Sequence, residues 1–251
     1  MVLPSVDAIA NGLSAMLILV TGYIIAIRLL FAIRQSESKL LPAQALFAFG
    51  LASFYTGTVV SFWVLFVTGS NLEPLTLVGI LDFTICPIAV CAAMWLGFSM
   101  IKPSLVKPMV TIYAITAIPF WANLWFNWLG PGQNIPVPGP GDLVDIVLAN
   151  LSSLFTAIYI LSLILIVGGG FIYLAKNSTG DIKRRSIYYT VGIMLFSFSG
   201  IVETQVRLVE MGLSSVLLIV RFVMVAAYVV LYRAMIPPKQ AFPPIKGQTD
   251  T

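Results

Sequence analysis

The side chains equipped for chemistry in this sequence lie within or at the edge of long apolar runs. Asp82, Glu203, Arg207 and Arg221 are the ionisable members. A charge held in hydrocarbon costs several kcal/mol, so such a residue is by default a functional candidate with a partner to be named. At about 1.5 Å per helical residue, Asp82 lies roughly 10–12 Å below a membrane boundary and Arg221 roughly 12–14 Å below the same one. They carry opposite charge at similar depth, which predicts a buried Asp82–Arg221 pair. Glu203 precedes Arg207 by four residues, the favourable order for an ion pair on one helix face. Asn123 and Asn150 add neutral hydrogen-bonding groups in the same half of the chain's apolar segments. Asp82, Asn123, Asn150, Glu203, Arg207 and Arg221 are therefore the candidate ligand-binding residues, and their chemistry is recognition of a small polar or charged molecule.

Other chemistries lack their residues. The chain has no histidine, which excludes a histidine general base, histidine haem ligation and histidine zinc sites. Its two cysteines, Cys86 and Cys91, are five apart, roughly 140° around a helix, so a mutual disulfide is not expected. No helix carries two carboxylates facing one another. No enzyme activity, metal site or cofactor is expected.

The elements that must position these residues are membrane spans. Of 251 residues, 59% are hydrophobic and only 10% charged, against about 25% charged in soluble domains. Seven apolar stretches are long enough to cross a bilayer. They are Ile9–Ile33, Leu41–Val67, Pro74–Met100, Leu105–Phe126, Leu143–Leu174, Ile187–Val206 and Leu213–Met235. The turns Gln35-Ser36-Glu37-Ser38, Gly69-Ser70-Asn71, Lys102-Pro103-Ser104 and Asn177-Ser178-Thr179-Gly180 separate them. Pro74 suits the first turn of the third span, and Pro87 and Pro119 can kink the third and fourth. The expected fold is an all-α membrane protein: a seven-transmembrane-helix bundle over residues 1–236, with a short cytoplasmic tail at 237–251.

Basic residues fall in alternate gaps. Arg34 and Lys39 follow the first span, Lys102 and Lys107 the third, Lys176, Lys183, Arg184 and Arg185 the fifth, and Arg233, Lys239 and Lys246 the seventh. The N-terminus and the loops after the second and fourth spans have none, and the loop after the sixth has only Arg207 at its edge. By the positive-inside rule this sets the N-terminus outside and the C-terminus in the cytoplasm of a multi-pass cell-membrane protein. The rule also accounts for the net charge of +4, so no nucleic-acid partner is expected. The first span is too long for a signal peptide, and its charge follows rather than precedes it.

A shift of about 142 positions aligns the first two spans with the fifth and sixth, matching Gly50 to Gly192, Phe54 to Phe196 and Val60 to Val202. A slightly smaller shift matches Leu96 to Leu231 and Met100 to Met235 in the third and seventh. The pattern is that of a parallel 3+1+3 internal repeat. Polar residues such as Thr58, Ser61, Thr84, Trp121, Ser152 and Gln205 gather in the outer halves, while Ala89–Leu96, Leu161–Val167 and Val223–Val230 are nearly pure hydrocarbon.

Seven helices with an acid in the third and a base in the seventh resemble the microbial rhodopsins. That family joins retinal to a lysine of its seventh helix. Here the seventh span has no lysine, and the Arg221 guanidinium cannot form a Schiff base. The segments from Asn177-Ser178-Thr179-Gly180 through Lys183-Arg184-Arg185 to Gly192, with Val220-Arg221-Phe222 and Tyr228–Tyr232, resemble an uncharacterised family of archaeal seven-helix membrane proteins. More distantly, the chain is similar to the seven-helix N-terminal sensor regions of histidine kinases. The resemblance implies a receptor-like or sensor-like bundle that binds a small extracellular ligand and acts through a separate cytoplasmic or membrane protein partner, since about 15 residues follow Met235. A small-solute or proton-coupled transporter and a structural subunit of a membrane complex are the alternatives. The lipid bilayer is the one partner common to all three.

Overall fold

The structure is a computed structural model that describes residues 3–34, 38–144, 146–205 and 214–236. Arg207, with the rest of 206–213, lies outside the described residues, as do 35–37 of the first turn, Asp145 and the expected tail at 237–251.

The chain is a helical multi-pass membrane protein. Among the described residues, six helices or helix pairs are long and apolar enough to span a bilayer, and a seventh joins them if the bent pair in the second stretch counts as one span. The first span is α1 (Val6–Ile33), started by Ser5, whose Oγ accepts the Ala8 amide at 3.1 Å. The second is α2 (Leu41–Ser53) and α3 (Thr56–Thr68), bent by 40° at Phe54–Tyr55. The third is α4 (Thr76–Phe83) and α5 (Cys86–Ile101). It starts at Thr76, two residues after Pro74. It breaks where Pro87, which has no amide hydrogen to give, sits in the first turn of α5. The fourth is α6 (Val106–Phe126), which passes through Pro119 without a break. The fifth is α7 (Asn150–Ser162), a π-helical turn over Leu163–Gly168, and α8 (Gly169–Asn177). The sixth is α9 (Gly180–Gln205) and the seventh α10 (Ser214–Met235).

Two boundaries differ from the sequence expectation. The fifth span begins at Asn150, not Leu143, because Asn150 has φ +47° and Ala149 is extended. The residues before it instead form strand β2 (Val147–Leu148), antiparallel to β1 (Gln133–Asn134). The sixth begins at Gly180 rather than Ile187. Its charged first turns lie beyond the apolar stretch, where Asp181 pairs with Arg184 at 2.7 Å and Arg185 at 2.9 Å.

The spans pack as a ring in the order first, second, third, fifth, sixth, seventh, closing between α10 and α1. The fourth span stands outside it, against α5 and α7. The ring buries an aliphatic and aromatic core that includes Phe47, Leu96, Val167, Tyr228 and Leu231. Outward it presents large apolar side chains such as Phe31, Ile118, Leu165 and Phe222, a surface suited to acyl chains rather than water.

Candidate functional site

The breaks of the second and third spans meet at one place. Around it lies a cavity of about 130 Å³ to which all six ring spans contribute. Asn11 comes from α1, Tyr55 and Thr58 from the second span, Asp82 and Cys86 from the third, Thr156 and Tyr159 from the fifth, Glu203 from α9 and Arg221 from α10. Counted along the helices, Asn11, Asp82, Thr156 and Arg221 lie roughly 7–11 Å from the starts of their helices. The cavity is therefore in the half of the bundle nearer the N-terminus. Val144 and Ile146, from the connection between the fourth and fifth spans, also line it. That connection is tied to the N-terminus by the Ser5 amide, which donates to the Gly141 carbonyl at 2.8 Å.

Asp82 serves the break in the second span. An α-helix begins with backbone N–H groups that have no partner within the helix. At the start of α3, Tyr55 supplies no capping side chain. Asp82 replaces one from the neighbouring span. Its Oδ1 accepts the Gly57 and Thr58 amides at 2.6 and 3.2 Å, and its Oδ2 accepts the Thr58 hydroxyl at 2.9 Å. In a bilayer no water is at hand for these amides, and a carboxylate complements the partial positive charge of a helix start. The contact needs close approach, and the sequence supplies it at Gly57. A Cβ there would overlap the backbone carbonyl of Val78, one turn before Asp82.

The break in the third span is satisfied from outside the ring. Trp121 Nε1 donates to the Thr84 carbonyl at 2.8 Å, and Trp125 Nε1 to the Thr84 hydroxyl at 3.0 Å.

Arg221, 5% exposed, pairs with Glu203 and not with Asp82. Its Nε and Nη2 donate to Glu203 Oε1 at 2.9 and 2.8 Å. Its Nη1 donates to the Asn11 carbonyl at 2.6 Å, to the Asn11 side-chain oxygen and to Ser14 Oγ at 3.1 Å. The Tyr55 hydroxyl donates to Glu203 Oε2, and the guanidinium lies 5.4 Å from the Tyr55 ring centroid. The expected Asp82–Arg221 pair gives way for a physical reason. The third and seventh spans are not neighbours in the ring, whereas α9 and α10 pack side by side, so each charge finds its nearer partner. The second span bridges them, with Thr58 on Asp82 and Tyr55 on Arg221.

No protein-family model and no curated relative matches this chain.

The remaining sequence candidates lie elsewhere. Asn123 is fully buried between the fourth and fifth spans. Its amide donates to Ser152 Oγ at 2.9 Å, and its carbonyl accepts the Leu129 amide at 3.2 Å. Asn150 donates to the Pro131 carbonyl at 2.9 Å. Both hold the connection between the fourth and fifth spans and neither lines the cavity. The Glu203–Arg207 pairing rests on a residue outside the described ones. Sequence reasoning did not single out Asn11, Ser14 or Tyr55. Asn11 and Ser14 stand three apart in α1 on the side that meets Arg221, and that spacing was their one signal.

The interior of the other half of the bundle is packed, and a groove of about 460 Å³ opens on its outside between α8 and α9, beside Ile172 and Ile187. Tyr189 stacks on Phe171 with ring centroids 4.0 Å apart, and Met94, Leu96 and Val167 are fully enclosed.

Proposed function

We propose that this chain is a receptor-like membrane protein that holds a small ligand in the ring cavity, at the end of the bundle carrying the N-terminus. In this reading that end faces outward, as the alternation of basic loops requires. The observation that carries the reading is the cavity itself. Its wall holds the buried charges Asp82 and Arg221 with the partly buried Glu203, and the interior of the half of the bundle beyond it is close-packed. A pocket over a sealed floor suits detection of a ligand better than its passage. Occupancy would be read by a separate protein, in keeping with the resemblance to kinase sensor regions.

The test is thermal unfolding of the purified protein in detergent against a library of molecules of about benzene size. Gly200 supplies the control. It lines the cavity, and a Cβ built on it meets no heavy atom of the other described elements within 4 Å, so Gly200→Leu extends into the space. Compounds should raise Tm in the natural protein and not in Gly200→Leu. Shifts that persist in Gly200→Leu would place binding elsewhere and sink the reading.

A transporter is the second reading, favoured by the pairing of repeat positions. Gly50 packs on Ala89 of the third span as Gly192 packs on Leu231 of the seventh. Phe54 and Phe196, matched by the same shift, both line the cavity. The ring order of first, second, third, fifth, sixth and seventh is what a parallel 3+1+3 duplication would produce. Flux into reconstituted vesicles that depends on Asp82 or Glu203 would favour it over the receptor.

A further inference from the structure

We propose that the cavity takes a small organic ammonium ion, with Asp82 as its counter-charge; this rests on the reading that the cavity is a ligand site. Among the described residues that line it, two are carboxylates, Asp82 and Glu203, and one is a cation, Arg221. Glu203 and Arg221 neutralise one another at 2.8 Å. Asp82 is left as the surplus charge, offset in part by the start of α3, worth about half an elementary charge.

The cationic donor and the backbone amides that would draw an anionic ligand are already engaged. Arg221 gives Nε and Nη2 to Glu203 and Nη1 to Asn11 and Ser14. The amides of Gly57 and Thr58 go to Asp82. Acceptors remain. Asp82 Oδ2 takes the Thr58 hydroxyl, and a carboxylate oxygen has room for a second donor. Ser197 is 3% exposed, lines the cavity and has no hydrogen-bond partner for its Oγ among the described residues. A buried hydroxyl without a partner is costly, and an ammonium N–H would satisfy it.

The rest of the wall suits an organic cation. Phe54, Phe83, Tyr159 and Phe196 contribute aromatic rings, whose π-systems attract cations. The site already holds one such arrangement, the Arg221 guanidinium near the Tyr55 ring. A bare metal ion prefers about six oxygen ligands, whereas this wall is largely carbon. The volume of about 130 Å³ is close to the ~150 Å³ of cavities that take benzene, so the ligand has about six non-hydrogen atoms.

The experiment compares probes of one shape and three charges. Isopentylammonium chloride, isopentanol and sodium isovalerate are titrated against the full chain in detergent at equal ionic strength, with sodium and potassium chloride as further arms. Thermal unfolding is the readout. The expected result is a saturable rise in Tm with isopentylammonium alone, absent in Gly200→Leu. Asp82→Asn should weaken binding by about ten- to a hundredfold, the cost of losing a hydrogen bond to a charged group. Because Asp82→Asn also touches the α3 start, Ser197→Ala serves as a second variant. It breaks no hydrogen bond in the structure, should leave the ligand-free Tm in place, and should weaken binding by about three- to tenfold. An ammonium shift unchanged in both variants overturns the proposal. So does an equal shift, lost in Gly200→Leu, from isopentanol, isovalerate or the inorganic salts; that result would retain the cavity as a ligand site and reject the ammonium class. No shift from any arm would overturn both.

Discussion

Glu203 Oε1 accepts two donors from one guanidinium, Arg221 Nε at 2.9 Å and Nη2 at 2.8 Å, across the interface of α9 and α10. The same guanidinium reaches α1 through Asn11 and Ser14, and Tyr55 joins from the second span. Four spans thus share one ion pair, its guanidinium buried and its carboxylate largely so. Removing one partner leaves the other charged in hydrocarbon. Arg221→Ala and Glu203→Ala should each cost about 3–5 kcal/mol, while Arg221→Met with Glu203→Leu should cost far less than the sum. Unfolding in detergent measures this, and additive losses would show that the two residues act independently.

Gly57 sets the distance between the second and third spans. Gly57→Ala would press its Cβ into the Val78 carbonyl, and the backbones must part. A loss of about 1–3 kcal/mol is expected. Gly169→Ala, where a Cβ meets nothing within 4 Å, should stabilise by about 0.5–1 kcal/mol through helix propensity. Equal effects from the two substitutions would count against the close approach.

Asp82→Ala strips the cap from α3. The Gly57 and Thr58 amides lose their acceptor, at about 1–3 kcal/mol for each unsatisfied group. Asp82→Asn keeps a carbonyl oxygen for them and should cost less. Amide hydrogen exchange over residues 54–60 should rise sharply in Asp82→Ala and modestly in Asp82→Asn. Unchanged exchange in the alanine variant would show that the cap is dispensable.

Much of this was legible in the sequence. Long apolar runs and turn residues located the spans, and Pro87 foretold the break in the third. Asp82, Glu203 and Arg221 stood out because ionisable residues in hydrocarbon are rare. Their partners were not legible. Depth counting places residues along the membrane normal and says nothing about which helices are neighbours, so Asp82 was matched to Arg221 when Glu203 lay on the adjacent helix. The bend at Phe54–Tyr55 has no proline to announce it, and without the bend Asp82 has no visible acceptor role. Val144 and Ile146 extend the apolar run of the fifth span, yet Asn150 stops the helix short of them and they fold over the cavity.

Orientation has its own measurement. Val137, 90% exposed in the connection between the fourth and fifth spans, and Lys102, exposed between the third and fourth, lie at opposite ends of the bundle. In intact cells a membrane-impermeant maleimide should label Val137→Cys and spare Lys102→Cys, with the natural cysteines as background. The reverse pattern would turn the cavity toward the cytoplasm.

The two indoles on Thr84 make the bundle self-reporting. Trp121 and Trp125 stack with ring centroids 6.0 Å apart, and both are bonded to the joint between α4 and α5, beside Phe83 and Cys86 of the cavity wall. Any shift of that joint changes the polarity around their excited states. With Trp63, Trp95 and Trp128 replaced by phenylalanine, the protein carries an optical gauge of its own interior, and its ultraviolet emission registers the movement of a helix junction without a dye.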